Sequence, residues 1–130
     1  MERQNISTGT PWEPIVGYSR AVRVGPYVHV SGTTGYDYAT MKMPDGVGEQ
    51  AKNALRTIEK ALGQAGAKLA DVVRVTYYVG DRSYVDEVVK AVGPVFSDIR
   101  PAATMLLVGM IEEAMKIEIE VEARIGAHAS

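Results

Sequence analysis

Hydrophobic residues recur along this chain in two rhythms. Within residues 48–65, Ala51, Ala54, Leu55, Ile58, Ala61, Leu62 and Ala65 fall three or four positions apart, with Lys52, Arg56, Glu59 and Lys60 between them. That spacing predicts an amphipathic helix with one buried face, and Gly66 suits the left-handed turn that closes it. A second helix is expected after Ser83-Tyr84-Val85-Asp86, which reads as a capping box. Its apolar face would be Val85, Val88, Val89, Val92 and Phe96, with Pro94 distorting or ending the last turn.

The other rhythm has a period of two. Residues 116–123 alternate strictly, with Ile117, Ile119, Val121 and Ala123 against Lys116, Glu118, Glu120 and Glu122, the mark of a half-buried strand. Residues 71–79 are dense in β-branched and aromatic side chains and read as another strand. Two short β-like runs, 19–24 and 27–31, flank Gly25-Pro26 and predict a hairpin. Residues 104–108 form a further apolar run, and 32–45 read as a loop. The order is β-β-α-β-α-β-β, an α+β domain with two helices on one face of a mixed sheet. A single domain spans 1–130, with 1–14 as an irregular lead-in and 124–130 as a tail.

Two helices leave the other sheet face bare. On strand 72–79, Val73, Val75, Tyr77 and Val79 are assigned to one face, Val72 and Tyr78 to the other. A strand apolar on both faces is usually covered on both. No helix remains to do so, which points to a second subunit in a closed cyclic assembly.

Composition narrows the chemistry. The 130 residues are one-domain length. The net charge of −2 gives no electrostatic footprint for nucleic acid or an anionic membrane. There are no cysteines, so disulfides, thiolate metal sites and a cysteine nucleophile are excluded together. His29 and His128 are too isolated to suggest a metal site, and no metal or cofactor is expected. The N-terminus shows no apolar signal region, and no apolar run approaches the roughly 20 residues that span a bilayer. The expectation is a soluble cytoplasmic protein.

Several segments together are similar to the RidA/YjgF/UK114 (endoribonuclease L-PSP-like) family. Gly17-Tyr18-Ser19-Arg20-Ala21-Val22 resembles its entry segment, and Val28-His29-Val30-Ser31-Gly32 its strand end. Gln50, Leu55, Ile58, Leu62, Ala65 and Gly66 follow its first helix, and residues 71–79 its central strand. Arg100-Pro101-Ala102-Ala103-Thr104 and Lys116-Ile117-Glu118-Ile119-Glu120 resemble its C-terminal signature. The resemblance implies a chorismate-mutase-like fold assembled as a homotrimer, with the sheets forming a central β-barrel and the helices outside. It also implies three clefts between subunits that bind small carboxylates such as 2-oxo or 2-imino acids. Active members hydrolyse reactive enamines and imines to a ketoacid and ammonia.

The resemblance assigns Tyr18, Ser31, Gly32, Arg100, Ala102, Ala103, Thr104 and Met105 to the ligand site, with Glu118 as the residue that positions water. It also exposes departures. Ala103 stands where deaminating members carry an arginine that clamps the substrate carboxylate, Val89 where many carry asparagine, and Met105 where they carry cysteine. The chain thus resembles an arginine-lacking branch. Arg100 lies an odd offset from Ala103, which in an extended segment places it on the opposite face; a loop at Arg100-Pro101 would redirect it.

Three readings follow. The first is a trimer that binds or processes a small metabolite other than ordinary 2-imino acids, as a hydrolase if it is an enzyme. The second is an imine deaminase with Arg100 or Arg20 as the clamp. The third is a ribonuclease or translation inhibitor, as some relatives are labelled, and a non-enzymatic chaperone-like role stays open beside them. Asp37 between Tyr36 and Tyr38 reads as turn chemistry, Trp12 as a packing residue, and Glu120 and Glu122 as solvated.

Overall fold

The computed structural model describes residues 2–129. Strands β1 (Arg3–Ile6), β2 (Ala21–Val24), β3 (Tyr27–Thr34), β4 (Val72–Val79), β5 (Ala102–Leu107) and β6 (Ile117–Arg124) form one sheet in the order β1-β2-β3-β6-β4-β5. Only the β4/β5 pair is parallel. Helix α1 (Val47–Gln64) lies over β3 and β6 and packs against α2 (Val85–Phe96), which connects β4 to β5. Among the described residues no helix is long and apolar enough to cross a membrane.

The core follows the two rhythms. Ala51, Ala54, Leu55, Ile58, Ala61 and Leu62 from α1 meet Ile117, Ile119, Val121 and Ala123 from β6, all buried. Both helices therefore sit on one face. The opposite face carries Arg74, Thr76 and Tyr78 of β4, and Glu118, Glu120 and Glu122 of β6 in register beside them.

Three expectations are corrected. Residues 1–14 are not wholly irregular: Arg3–Ile6 pairs with β2, from Arg3 opposite Val24 to Ile6 opposite Ala21. Its sequence gave no signal because backbone pairing holds this polar edge strand, with Ile6 its one buried side chain. The faces of β4 differ as well. Val72 is buried and Val73 is 45% exposed, because a register shift between Val72 and Arg74 inserts one residue. The bare face is thus mainly polar along β4, and the strand is not apolar on both sides. Finally, α2 runs through Pro94 to Phe96. A preceding turn, Arg82–Tyr84, is capped by Asp81, whose carboxylate accepts hydrogen bonds from the Ser83 amide (2.9 Å) and hydroxyl (2.6 Å). Asp81, rather than Ser83, is the capping side chain.

The tail is also tied down. Residues Ala127–Ala129 form a 3-10 turn, and buried Asp71 accepts hydrogen bonds from the backbone amides of Gly126 (3.2 Å) and His128 (3.3 Å) and from the His128 ring. Its other oxygen accepts from the Lys68 amide (3.0 Å). Burial works to raise the Asp71 carboxyl, but the hydrogen bonds from His128 and Lys68 outweigh it and hold the carboxyl below its ordinary range. The folded state favours the ionised form. That stability is complete above the unfolded value of about 4 and is lost as pH falls through the lower folded value. Asp71→Asn should cost about 2 kcal/mol near neutral pH, and urea midpoints should show the gap to the parent chain closing below pH of about 4.

Candidate functional site

The residues singled out from the sequence fall into two clusters. The first surrounds a β-bulge. Pairing between β3 and β6 shifts register between Val30 and Thr33, so Ser31 and Gly32 together occupy the space opposite Glu120. Such a bulge kinks a strand and re-aims its side chains. The Ser31 hydroxyl donates to the Ser19 carbonyl at 2.6 Å, tying the bulge to the segment before β2.

Arg20 holds the bulge from within. It is 2% exposed. Its Nη1 donates to the Gly32 carbonyl at 2.7 Å and to Thr33 Oγ1 at 3.1 Å, and its Nη2 to the Tyr18 hydroxyl at 3.3 Å. The guanidinium also lies 5.5 Å from the Tyr18 ring centre and 5.7 Å from that of Tyr38, within range of cation–π attraction. Nε is buried with no partner among the described residues.

Glu118 rests on this platform. A Cβ added to Gly32 would sit 2.8 Å from Glu118 Cδ, so the carboxyl packs directly over the glycine and would have to move for a larger residue. Burial raises the Glu118 carboxyl above its ordinary range; Arg20 pulls it back down and Glu120 adds to the rise. A carboxyl shifted upwards can hold a proton closer to neutral pH and exchange it with a bound group. Next to it, Glu120 accepts a 2.5 Å hydrogen bond from the Tyr78 hydroxyl, and Glu122 faces His29 at 3.2 Å. The expectation of a solvated stripe holds for Glu122 and fails for Glu120, whose side chain is half-buried.

The second cluster is at the start of β5. Arg100 is not on the opposite face from Ala103. It precedes the strand, takes a left-handed φ of 56°, and its amide closes α2 on the Phe96 carbonyl at 2.8 Å. That turn redirects it into an open cavity of about 420 Å³ shared with Val75, Tyr77, Val92, Phe96 and Ala103. Among the described residues, Arg100 is the charged one that lines this cavity. Burial pushes the Tyr77 phenol up to about 12, so it stays a neutral donor. Ala103 and Met105 lie in register with Val75 and Tyr77 on the helix side, while Ala102 and Thr104 face the other way beside Arg74 and Thr76. The Thr104 hydroxyl accepts from Arg74 Nη2 at 2.7 Å. Val89 is half exposed and does not line the cavity, and Trp12, expected to pack, is 51% exposed.

Within one chain the two clusters do not meet: Glu118 is on the bare face and Ala103 on the helix face of an edge strand. Sequence reasoning treated Arg20 only as a spare clamp and missed it as the hub of the bulge. The signal was there, a lone charge directly before the apolar pair Ala21-Val22.

The sequence profile described as "Endoribonuclease L-PSP" matches residues 8–125. An uncharacterized protein of Streptomyces coelicolor is 33% identical over 125 residues, covering 95% of this chain and 93% of its own. A rat protein named 2-iminobutanoate/2-iminopropanoate deaminase is 33% identical over 119 residues, covering 91% of this chain and 87% of its own. Among solved structures, a Mycobacterium tuberculosis protein described as a member of the YjgF/YER057c/UK114 family superposes with a TM-score of 0.87 at 46% identity, covering 95% of this chain and 100% of its own.

Proposed function

The chain belongs to the endoribonuclease L-PSP family, known also as RidA/YjgF/UK114, and from that premise we propose that it works as a homotrimer whose inter-subunit clefts bind and process a small metabolite other than the ordinary 2-imino acids. The cavity beside β5 carries this reading. Its walls are mostly apolar, and Ala103 stands at the place where the resemblance puts the carboxylate-clamping arginine. Losing one partner of such a buried charge pair weakens a small ligand by on the order of 2–5 kcal/mol. The division of the site supports the assembly. A sister chain that lays its β5 cavity against this chain's Glu118 would complete a cleft that neither face makes alone, and the 45% exposed Leu106 would be covered in the contact.

In such a cleft Glu118 has a concrete task. Its raised carboxyl, set on Gly32 and tempered by Arg20, would give a proton to an imine nitrogen or carbonyl oxygen, or orient and deprotonate the water that attacks the adjoining carbon. Tyr18 and the bulge would line the same side. Ribonuclease action ranks lower, because the net charge is −2 and three glutamates edge the bare face.

One observation favours a second reading. Arg100 does reach the cavity of Ala103 and could serve as a substitute clamp. Arg20 could not, since its guanidinium is already committed to Gly32, Thr33 and Tyr18.

The expected result is that enzymatically generated 2-aminoacrylate yields pyruvate about 100-fold or more slowly than with an arginine-bearing relative. Turnover equal to that relative would sink the leading reading. Loss of that turnover in Arg100→Ala would then establish the second. Light scattering should report three times the 14.0 kDa chain mass; a stable 14.0 kDa particle would remove the cleft and both readings with it.

A further inference from the structure

A second cavity adjoins the first cluster through Tyr38, which Arg20 also contacts, and shares no lining residue with the cavity of Ala103. It is a half-open cleft of about 310 Å³ bounded by α1, the loop before it and the segment after β1. We propose that it is a binding site for a nucleoside monophosphate, with the phosphate at Arg56 and Lys60 and the base against Tyr36 and Tyr38.

The case for the phosphate rests on α1. Arg56 and Lys60 are four residues apart, one helical turn, so both reach the same rim. Neither forms an ion pair among the described residues. Asp37, the acidic group lining the cavity, accepts from the Ala39 amide at 2.9 Å. Two cations against one carboxylate leave this lining with a net positive charge in a chain of net charge −2, which suits an anionic group such as a phosphate. Arg56 can grip a phosphate bidentately and Lys60 can add a point charge. Thr57 lines the same cavity.

The case for a ring rests on the opposite wall. The Tyr36 and Tyr38 rings have centres 6.3 Å apart and are tilted by 42°. Tyr36 is fixed by donating to Glu112 at 3.1 Å, and Tyr38 by its stack on Arg20. Preformed aromatic faces are what bases stack on. Asn53 Nδ2 is used on the Gly35 carbonyl at 3.0 Å, which leaves its Oδ1 free to accept from a base or sugar. The cavity sits at the small end of the range for ligand sites and takes one nucleotide. A continuous strand would meet an acidic protein beyond the rim.

Calorimetry and thermal shift on the full chain test this with AMP, adenosine and inorganic phosphate. Saturable binding of AMP, at least about tenfold tighter than adenosine or phosphate alone, is expected, because both halves of the site contribute. The double variant Arg56→Ser, Lys60→Ser should lose about 30-fold or more. Both side chains are exposed, so the variant should keep the parent melting temperature without ligand. Tyr36→Leu should weaken AMP while leaving phosphate binding unchanged. Equal affinity for phosphate and AMP, no saturable binding of AMP, GMP, CMP or UMP, or full affinity in the double variant would each overturn the proposal. Arg56 and Lys60 belong to neither cluster, so the double variant tests this site independently of the cleft.

Discussion

Arg20→Met should lower folding stability by about 4 kcal/mol, read from urea denaturation with the slope unchanged. The side chain is 2% exposed and forms charge-assisted hydrogen bonds to the Gly32 carbonyl and the Thr33 hydroxyl. Bonds of that type contribute roughly 1.5–3 kcal/mol each, and a buried acceptor left without its donor keeps its desolvation cost. Methionine fills most of the volume, so a cavity does not account for the loss. The variant also leaves Glu118 without the cation that lowers it. A carboxyl whose folded value is raised stabilises the fold at low pH, and that contribution disappears as pH rises through the folded value. Arg20→Met should therefore lose more stability at pH 8 than at pH 5. Adding Glu118→Gln should recover about 1 kcal/mol, the coupling between the two sites. Equal losses at both pH values would show that Arg20 acts on the bulge alone.

The same pair explains what the sequence could and could not reveal. Both helices were legible because α1 and α2 bury stripes spaced three and four residues apart. β6 was legible because Ile117, Ile119, Val121 and Ala123 share one face. These are consequences of helix and strand geometry and need no knowledge of neighbours. The bulges were not legible. The extra residue at Val73 and the pair Ser31–Gly32 appear only as shifts of register against β6, a property of the pairing and of neither strand. β1 was missed for the same reason: Arg3-Gln4-Asn5 are held by the backbone of β2.

The site divides along that line. Glu118 and Gly32 were identified by resemblance, and the structure adds the reason they go together: the carboxyl occupies the space that a side chain at position 32 would need. For Arg100 the sequence left two placements open, an extended segment or a redirecting loop, and the structure has the loop: the left-handed turn lies at a residue other than glycine. Position alone could not announce that.

Gly35→Ala should be the most damaging of the glycine substitutions, at about 4 kcal/mol in thermal or chemical unfolding. An added Cβ would lie 2.5 Å from both Cα and Cβ of Gln50, and the Cα belongs to the backbone of α1, so no rotamer change relieves the clash. Gln50 is also no ordinary neighbour. It is fully buried, its Nε2 donates to the carbonyls of Pro44 (2.7 Å) and Ala114 (2.9 Å), and its Oε1 accepts from the Lys116 amide (2.9 Å). One side chain thus ties the helix start to two loops and to the residue before β6. Forcing α1 outwards costs about 1–3 kcal/mol for overpacking, and each bond stretched beyond reach adds the cost of an unsatisfied buried group. β6 carries Glu118 on its second residue, so the displacement should reach the site as well. Gly63→Ala is the matching control. Nothing lies within 4 Å of its added Cβ and it sits inside α1, so it should stabilise by about 0.5–1 kcal/mol through the unfolded chain. Opposite signs for two glycine-to-alanine changes are what close approach at Gly35 requires. A Gly35→Ala chain that melts within about 1 kcal/mol of the parent would mean that the loop, rather than the helix, absorbs the added methyl.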